Sequence, residues 1–241
     1  MGMVGRLQQI SPERLSEFIR DPQIAYEYIR ASDRQHTSAM IDQIMDDPEK
    51  FVAGLGLGKP RDISAAEKEQ FKQELKQRHE QFMSALDSIR AKRQTGPQLV
   101  KKDKRTSPEE PIKIFSMEKD WHILHYILNG TAEGGGGPLA YVVLGGTELP
   151  DREGIMSYGP ARYLTPEQVK AAASALAAAD SAALAKRFDV RDANAKRIYG
   201  LAYAGGPTTI SPEEVMGFVE PVRDFYTEAS HDGNAMLFYL S

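Results

Sequence analysis

Apolar positions along this 241-residue chain change period several times, and each change marks an element. Residues 2 to 9 read as a strand lying almost at the first residue, a placement that requires a neighbouring strand to pair with it. Ser11-Pro12, Asp21-Pro22 and Asp47-Pro48 each set a capping oxygen before a proline at the first helical position, where the missing N–H costs nothing. Leu15, Phe18 and Ile19 form one helical stripe and Met40, Ile41, Ile44 and Met45 another, so both segments are predicted to lie on a core.

The pattern then thins. Glycine crowds residues 54 to 60, and Ser64-Ala65-Ala66-Glu67 supplies a capping box for a long charged helix reaching about Arg93. Its apolar positions, Phe71, Leu75, Phe82, Leu86 and Ile89, trace only a narrow seam of the kind found in helical hairpins and coiled coils. Residues 94 to 111 combine four basic residues with three prolines and read as an exposed linker.

Dense apolar patterning resumes at Ile112 to Phe115, a short predicted strand. Ser116 is expected to cap a helix running to Asn129-Gly130, with Glu118 and Asp120 in its first turn. Trp121, Leu124, His125 and Leu128 share one face of that helix while Ile123 and Ile127 occupy another, so it should be largely buried. The unbroken run Leu139 to Leu144, closed by Gly145-Gly146, predicts a strand covered on both faces at the sheet's centre. Thr165-Pro166-Glu167-Gln168 and Ser211-Pro212-Glu213-Glu214 are two more capping boxes, opening an alanine-rich helix and a final helix. The final helix keeps its period past Pro221, where a bend is expected, and stops at Gly233 before a last strand over residues 235 to 240. The expected fold is α+β: a small mixed sheet covered by helices, one domain over residues 1–241 interrupted by a charged helical arm and linker at about 55–111.

Composition narrows the classes. Ordinary apolar and charged fractions, 41% and 27%, exclude global disorder and fibrous repeats. A net charge of −4 and a pI of 5.8 give no field that draws in a polyanion, so no nucleic-acid partner is expected. The one basic cluster, Lys101, Lys102, Lys104 and Arg105, reads as a solvated run in the linker. The absence of cysteine removes disulfides, thiolate nucleophiles and thiolate metal sites, and suits a reducing compartment. No stretch approaches the roughly 18 apolar residues of a membrane span, and the N-terminus lacks a signal-peptide pattern; Arg6 spoils a myristoylation match at Gly2. A cytoplasmic location with no membrane partner follows as the expectation.

Several separated segments resemble the YfbM-like family, a bacterial domain of unknown function. They are Met1-Gly2-Met3, Lys119-Asp120-Trp121-His122 through Asn129-Gly130, Gly145-Gly146, Tyr158-Gly159-Pro160-Ala161-Arg162-Tyr163-Leu164 and Phe225-Tyr226. The resemblance spans roughly residues 1 to 50 and 112 to 241 and leaves the charged stretch as an insertion. It implies a compact α+β fold, and brings with it no activity, cofactor or catalytic residue. Glu118 and Asp120 stand where family members tend to carry Asp and Ser, which weakens any role for a hydroxyl there.

The ligand-binding candidates are Asp120, Trp121, His122, His125, Tyr158, Arg162 and Tyr163. His122 and His125 have a spacing that can serve one metal, yet no third ligand is marked, and hydrogen bonding of His125 within the core is the plainer account. No metal or cofactor is expected. Arg162 follows Gly159 and Pro160, whose irregular backbone can aim a guanidinium at a carboxylate or phosphate, or use it to hold loop carbonyls. Trp121 reads first as a core anchor and second as a stacking platform. Glu133 to Gly137 lacks the lysine and hydroxyl of a phosphate loop. No catalytic signature emerges, so the leading functional expectation is a non-catalytic domain with a protein partner, an accessory or immunity-type role being a special case by analogy. The alternative is a small-molecule or anion-binding domain or enzyme with a pocket around His122 and Arg162. Oligomeric state has no sequence signal.

Overall fold

A computed structural model of the chain describes residues 3–46, 112–200 and 212–241. The charged helix, its Phe71, Leu75 and Phe82 seam, the basic linker and the Asp47 and Ser211 caps lie outside the described residues. The chain divides into two compact units, Met1–Tyr28 with Glu109–Ser241, and Ile29–Pro108. Of the second, the described part is the helical stretch from residue 29 to residue 46, in which Ile29 and Ser32 are buried. The sheet and every candidate residue belong to the first.

Strand β1 (Gly5–Ile10) leads into α1 (Pro12–Arg20) and α2 (Pro22–Asp46), and the chain re-enters at β2 (Ile114–Ser116). Helix α3 (Trp121–Asn129) and a 3₁₀ turn (Pro138–Tyr141) precede the hairpin strands β3 (Thr147–Glu148) and β4 (Arg162–Leu164). Helices α4 (Pro166–Ala177), α5 (Ser181–Arg187), α6 (Val190–Ala195) and α7 (Pro212–His231) then bring the chain to β5 (Ala235–Leu240). The α+β class is as expected.

The sheet has the order β2-β1-β5-β4-β3, and every pairing is antiparallel instead of mixed. Strand β1 finds the partner it requires on both sides, with Leu7 opposite Phe238 of β5 and Phe115 of β2. The middle strand is therefore β5, and residues 139–144 are not a strand. Pro138 opens a 3₁₀ turn there, and the chain folds back so sharply that a side chain on Gly145 would run into the Tyr141 backbone. A short apolar run fits a buried turn as well as a buried strand, and Val142 and Val143 are fully buried.

The α3 start also differs from expectation. Ser116 ends β2, the ladder continues through Met117 N–H to Gly5 C=O, and residues 118–120 make a turn with Glu118 at φ +47°. Ser116 bonds the Glu118 carboxylate, so it caps nothing, and the helix begins at Trp121. On α1, Leu15 and Phe18 are buried but Ile19, at the flank of their stripe in the last turn, is half exposed. Side chains of Met40 to Met45 lie outside the description.

Strand alternation sends Leu7, Phe115, Met236, Phe238 and Leu164 to one face, where they join Trp121, Leu124 and Ile127 of α3, Val169 and Leu176 of α4, and Val215, Val219, Val222 and Tyr226 of α7. Helix α7 continues through Pro221, whose missing N–H leaves Gly217 C=O without its intrahelical donor. Tyr226 OH donates to Val142 C=O at 2.8 Å and pins the 3₁₀ turn to α7. The other face carries Gln8, Ile10, Leu237 and Tyr239, also buried, so the sheet is covered on both sides. Among the described residues no helix is long and apolar enough to cross a membrane.

Candidate functional site

Trp121 enters the core because α3 starts where β1 passes beneath it. Its ring stacks on His122 (4.7 Å, 3° between planes) and Tyr199 (5.8 Å) and meets Phe238 at 6.3 Å. Gly5 is what permits this: a Cβ there would fall 2.5 Å from Trp121 Cβ. Trp121 is 5% exposed, and its Nε1 has no hydrogen-bond partner among the described residues.

His122 is used at both nitrogens. Nε2–H donates to Ala132 C=O at 2.8 Å and Nδ1 accepts Tyr199 N–H at 2.8 Å, a pattern that requires the neutral Nε2–H tautomer. Burial, the largest effect, pushes its pKa down, and the Ala132 carbonyl and Glu133 offset part of that. The ring thus clamps the loop after α3 to the segment at Tyr199, whose hydroxyl accepts Met3 N–H at 2.8 Å. Asp120 sits at the α3 N-terminus without a side-chain cap bond and is largely open to solvent; partial burial first and Glu118 second push its carboxyl up.

His125 lies one turn on and is completely buried. Asn129 Nδ2 faces its Nδ1 at 3.4 Å, and its Nε2 has no hydrogen-bond partner among the described residues. Burial holds its pKa down at about 4, helped by His122 and opposed by the Gly134 backbone. Among the described residues no group of three His, Cys, Asp or Glu is placed to hold a metal.

Arg162 serves the hairpin. Nε donates to Gly145 C=O at 3.3 Å, one terminal nitrogen donates to Gly146 C=O at 3.2 Å, and the other pairs with Glu148 across the β3–β4 ladder. Holding loop carbonyls, the plainer reading of this arginine, is its geometry here. Tyr163, the next residue on β4, points to the opposite face, opposite Leu237 and Thr147. Tyr158 stands 39% exposed in a turn with Gly159 at φ +100°, at the end of the loop that Asp151 ties by accepting Ile155 and Met156 N–H.

The seven candidates therefore fall into three places. Trp121, His122 and His125 share α3 with Asp120 immediately before it, Arg162 and Tyr163 take opposite faces of β4, and Tyr158 lies outward. Trp121 reaches the Arg162 row through Phe238, the cross-strand partner of Arg162; among the described residues the hydrogen bonds of His122 and of Arg162 go to different partners. Residues that sequence reasoning passed over complete the arrangement: Gly5, Asn129, Ala132, Glu148 and Tyr199. Only Glu148 carried a signal, as a charge two residues beyond Gly146 and within reach of a cation on a paired strand.

A family model described as a domain of unknown function (DUF1877) matches residues 1–239. Among solved structures the chain is similar to YfbM from Escherichia coli, a protein of unknown function, with 16% identity, coverage of 99% of each chain and a TM-score of 0.49. The comparison with curated proteins returns no match.

Proposed function

This chain belongs to the DUF1877 family, and on that premise we propose that it is a non-catalytic protein-interaction domain. The observation that carries the reading is the internal use of its best candidate chemistry. His122 spends both ring nitrogens and Arg162 its Nε and both terminal nitrogens on groups of the same chain. A guanidinium that grips an oxyanion turns a pair of parallel N–H groups to it, whereas here the three nitrogens are divided among Gly145, Gly146 and Glu148, as a rigid scaffold requires. The contact surface proposed is the loop bearing Tyr158, an exposed aromatic of the type enriched at interfaces, with the charged arm as a separate contact element. An accessory or immunity-type role is its special form, by analogy.

A second reading, a small-molecule or anion site beside Trp121 and Arg162, is favoured by the buried Trp121 Nε1–H that has no acceptor among the described residues. One experiment separates the two. The full chain and Tyr158→Asp are used as bait in native lysate, and both are melted with and without inorganic phosphate and acetate. The interaction reading expects a stoichiometric partner for the wild type, at least about tenfold less for the variant, equivalent to ~1.4 kcal/mol, and unchanged melting temperatures. No partner, together with a ligand-dependent rise in melting temperature, overturns it in favour of the second.

A further inference from the structure

We propose that residues 133–137 form a strap that closes over His125 and lifts away when the imidazole takes up a proton. The argument starts from hydrogen-bond roles. An amide nitrogen only donates, so the approach of Asn129 Nδ2 to His125 Nδ1 at 3.4 Å requires Nδ1 to accept and places the ring proton on Nε2. That nitrogen is fully buried and has no hydrogen-bond partner among the described residues, and the Gly134 backbone lies close to the ring. Protonating Nδ1 sets donor against donor at Asn129, and flipping that amide sacrifices its bonds to His125 C=O (3.1 Å) and Leu139 C=O (3.4 Å). The closed arrangement takes up the second proton only at the cost of these bonds.

Asn129 is also what the strap rests on. A Cβ on Gly135 would lie 2.9 Å from Asn129 Oδ1 and 3.1 Å from Ala140 Cβ, so the strap touches the amide that senses the ring. Around that point it is free: Gly134, Gly136 and Gly137 are exposed, and a Cβ on any of them meets nothing within 4 Å. Gly134, Gly135 and Gly137 already hold φ of +66°, +128° and +76°, which glycine leaves and re-enters at little cost. The ends are fixed by Ala132 C=O on His122 and by Ala140 N–H on Gly137 C=O, so movement is confined between them.

The charged groups around the ring are few. His122 on the same helix opposes an imidazolium and the Gly134 backbone favours it; Glu133 on the strap acts on His122, and Arg187 of α5 turns its guanidinium to the Ile127 and Leu128 carbonyls. Helix α7 and the 3₁₀ turn present only uncharged residues such as Tyr226 and Ala140 to the core. Burial keeps the closed ring near a pKa of about 4, against 6.5 for an exposed imidazole. Falling pH thus favours the open state about tenfold per unit below 6.5, levelling off below 4 at roughly 300-fold. A strap that is open in a small fraction of molecules at neutral pH becomes mostly open in acid.

The test is an NMR titration of the full chain from pH 7.5 to 4.5, following the His125 ring nitrogens, the Asn129 side-chain amide and the Gly134–Gly137 amides, with His125→Gln in parallel. The expected result is one shared midpoint for ring, amide and strap, stationary signals in α4, and no strap movement in the variant. A stationary strap while His125 titrates, a strap that moves equally in His125→Gln, or a His125 that gains its proton only when α4 unfolds with it, each overturns the proposal. Should the variant not fold, the shared midpoint against a stationary α4 in the wild type decides alone.

Discussion

Gly5 and Trp121 illustrate how one missing methyl sets the position of a whole side chain. The two meet where β1 runs under the first turn of α3, and an added Cβ at 2.5 and 2.7 Å from Trp121 Cβ and Cγ leaves no ordinary rotamer that relieves both. Gly5→Ala is therefore expected to cost about 1–3 kcal/mol of folding stability, the range for overpacked cores. Urea unfolding followed by the fluorescence of Trp121, the sole tryptophan, measures it directly; an unchanged midpoint would show that β1 and α3 do not hold this distance. At this scale the sequence is legible where partners are near in sequence and opaque where a side chain meets backbone far along the chain. The burial of Trp121 and His125 follows from their helical face, but His122 finds Ala132 C=O ten positions away and Tyr199 N–H seventy-seven away. Main-chain atoms are the same at every residue, so nothing in the string of letters marks them as partners.

The starts of α1 and α4 are readable elements, unlike that of α3. Ser11 accepts Arg14 N–H, and Thr165 and Gln168 complete a reciprocal capping box, because these bonds are local and their spacing is written in the sequence. Asp180 and Asp189 cap α5 and α6 in the same way, though no proline or apolar period flags helices of seven and six residues. The run at 139–144 misleads because burial, not periodicity, is all it encodes. The β3–β4 hairpin is the element whose stability hangs on a candidate residue: β3 is two residues long, and Arg162 supplies bonds to Gly145, Gly146 and Glu148 that its short ladder lacks. Arg162→Ala should lose about 1–3 kcal/mol, chiefly through the two stranded carbonyls, whereas Glu148→Gln, which breaks only a largely solvent-exposed ion pair, should lose at most ~1 kcal/mol. Thermal denaturation of both variants gives the comparison. Equal losses would mean that the ion pair, and not carbonyl binding, is what the arginine supplies.

For the whole molecule, the family and the α+β class were legible from motif order and element types, while strand order was not. Antiparallel pairing of β1 with β5 depends on contacts between opposite regions of the chain, which no local pattern expresses. The sheet-bearing unit carries its own core, drawn from Leu7, α3, α4, α7 and β5. Replacing residues 55–110 by a flexible linker should therefore leave the Trp121 emission maximum and the near-UV circular dichroism of the core unchanged, while abolishing or weakening any partner captured by the full chain. Loss of the near-UV signal would mean that the replaced stretch completes this core.

Strand β5 occupies the middle of the sheet, between β1 and β4, and Val4 and Ser241 exchange both main-chain bonds beside it. During synthesis on the ribosome β1 emerges long before β5, so the two halves of the sheet, β2-β1 and β4-β3, cannot be joined until β5 has left the exit tunnel. Such long-range closure predisposes to slow maturation and to a need for shielding of nascent β1 by chaperones, and it makes clipping of residues 235–240 a lesion that splits the sheet down its centre instead of fraying its rim.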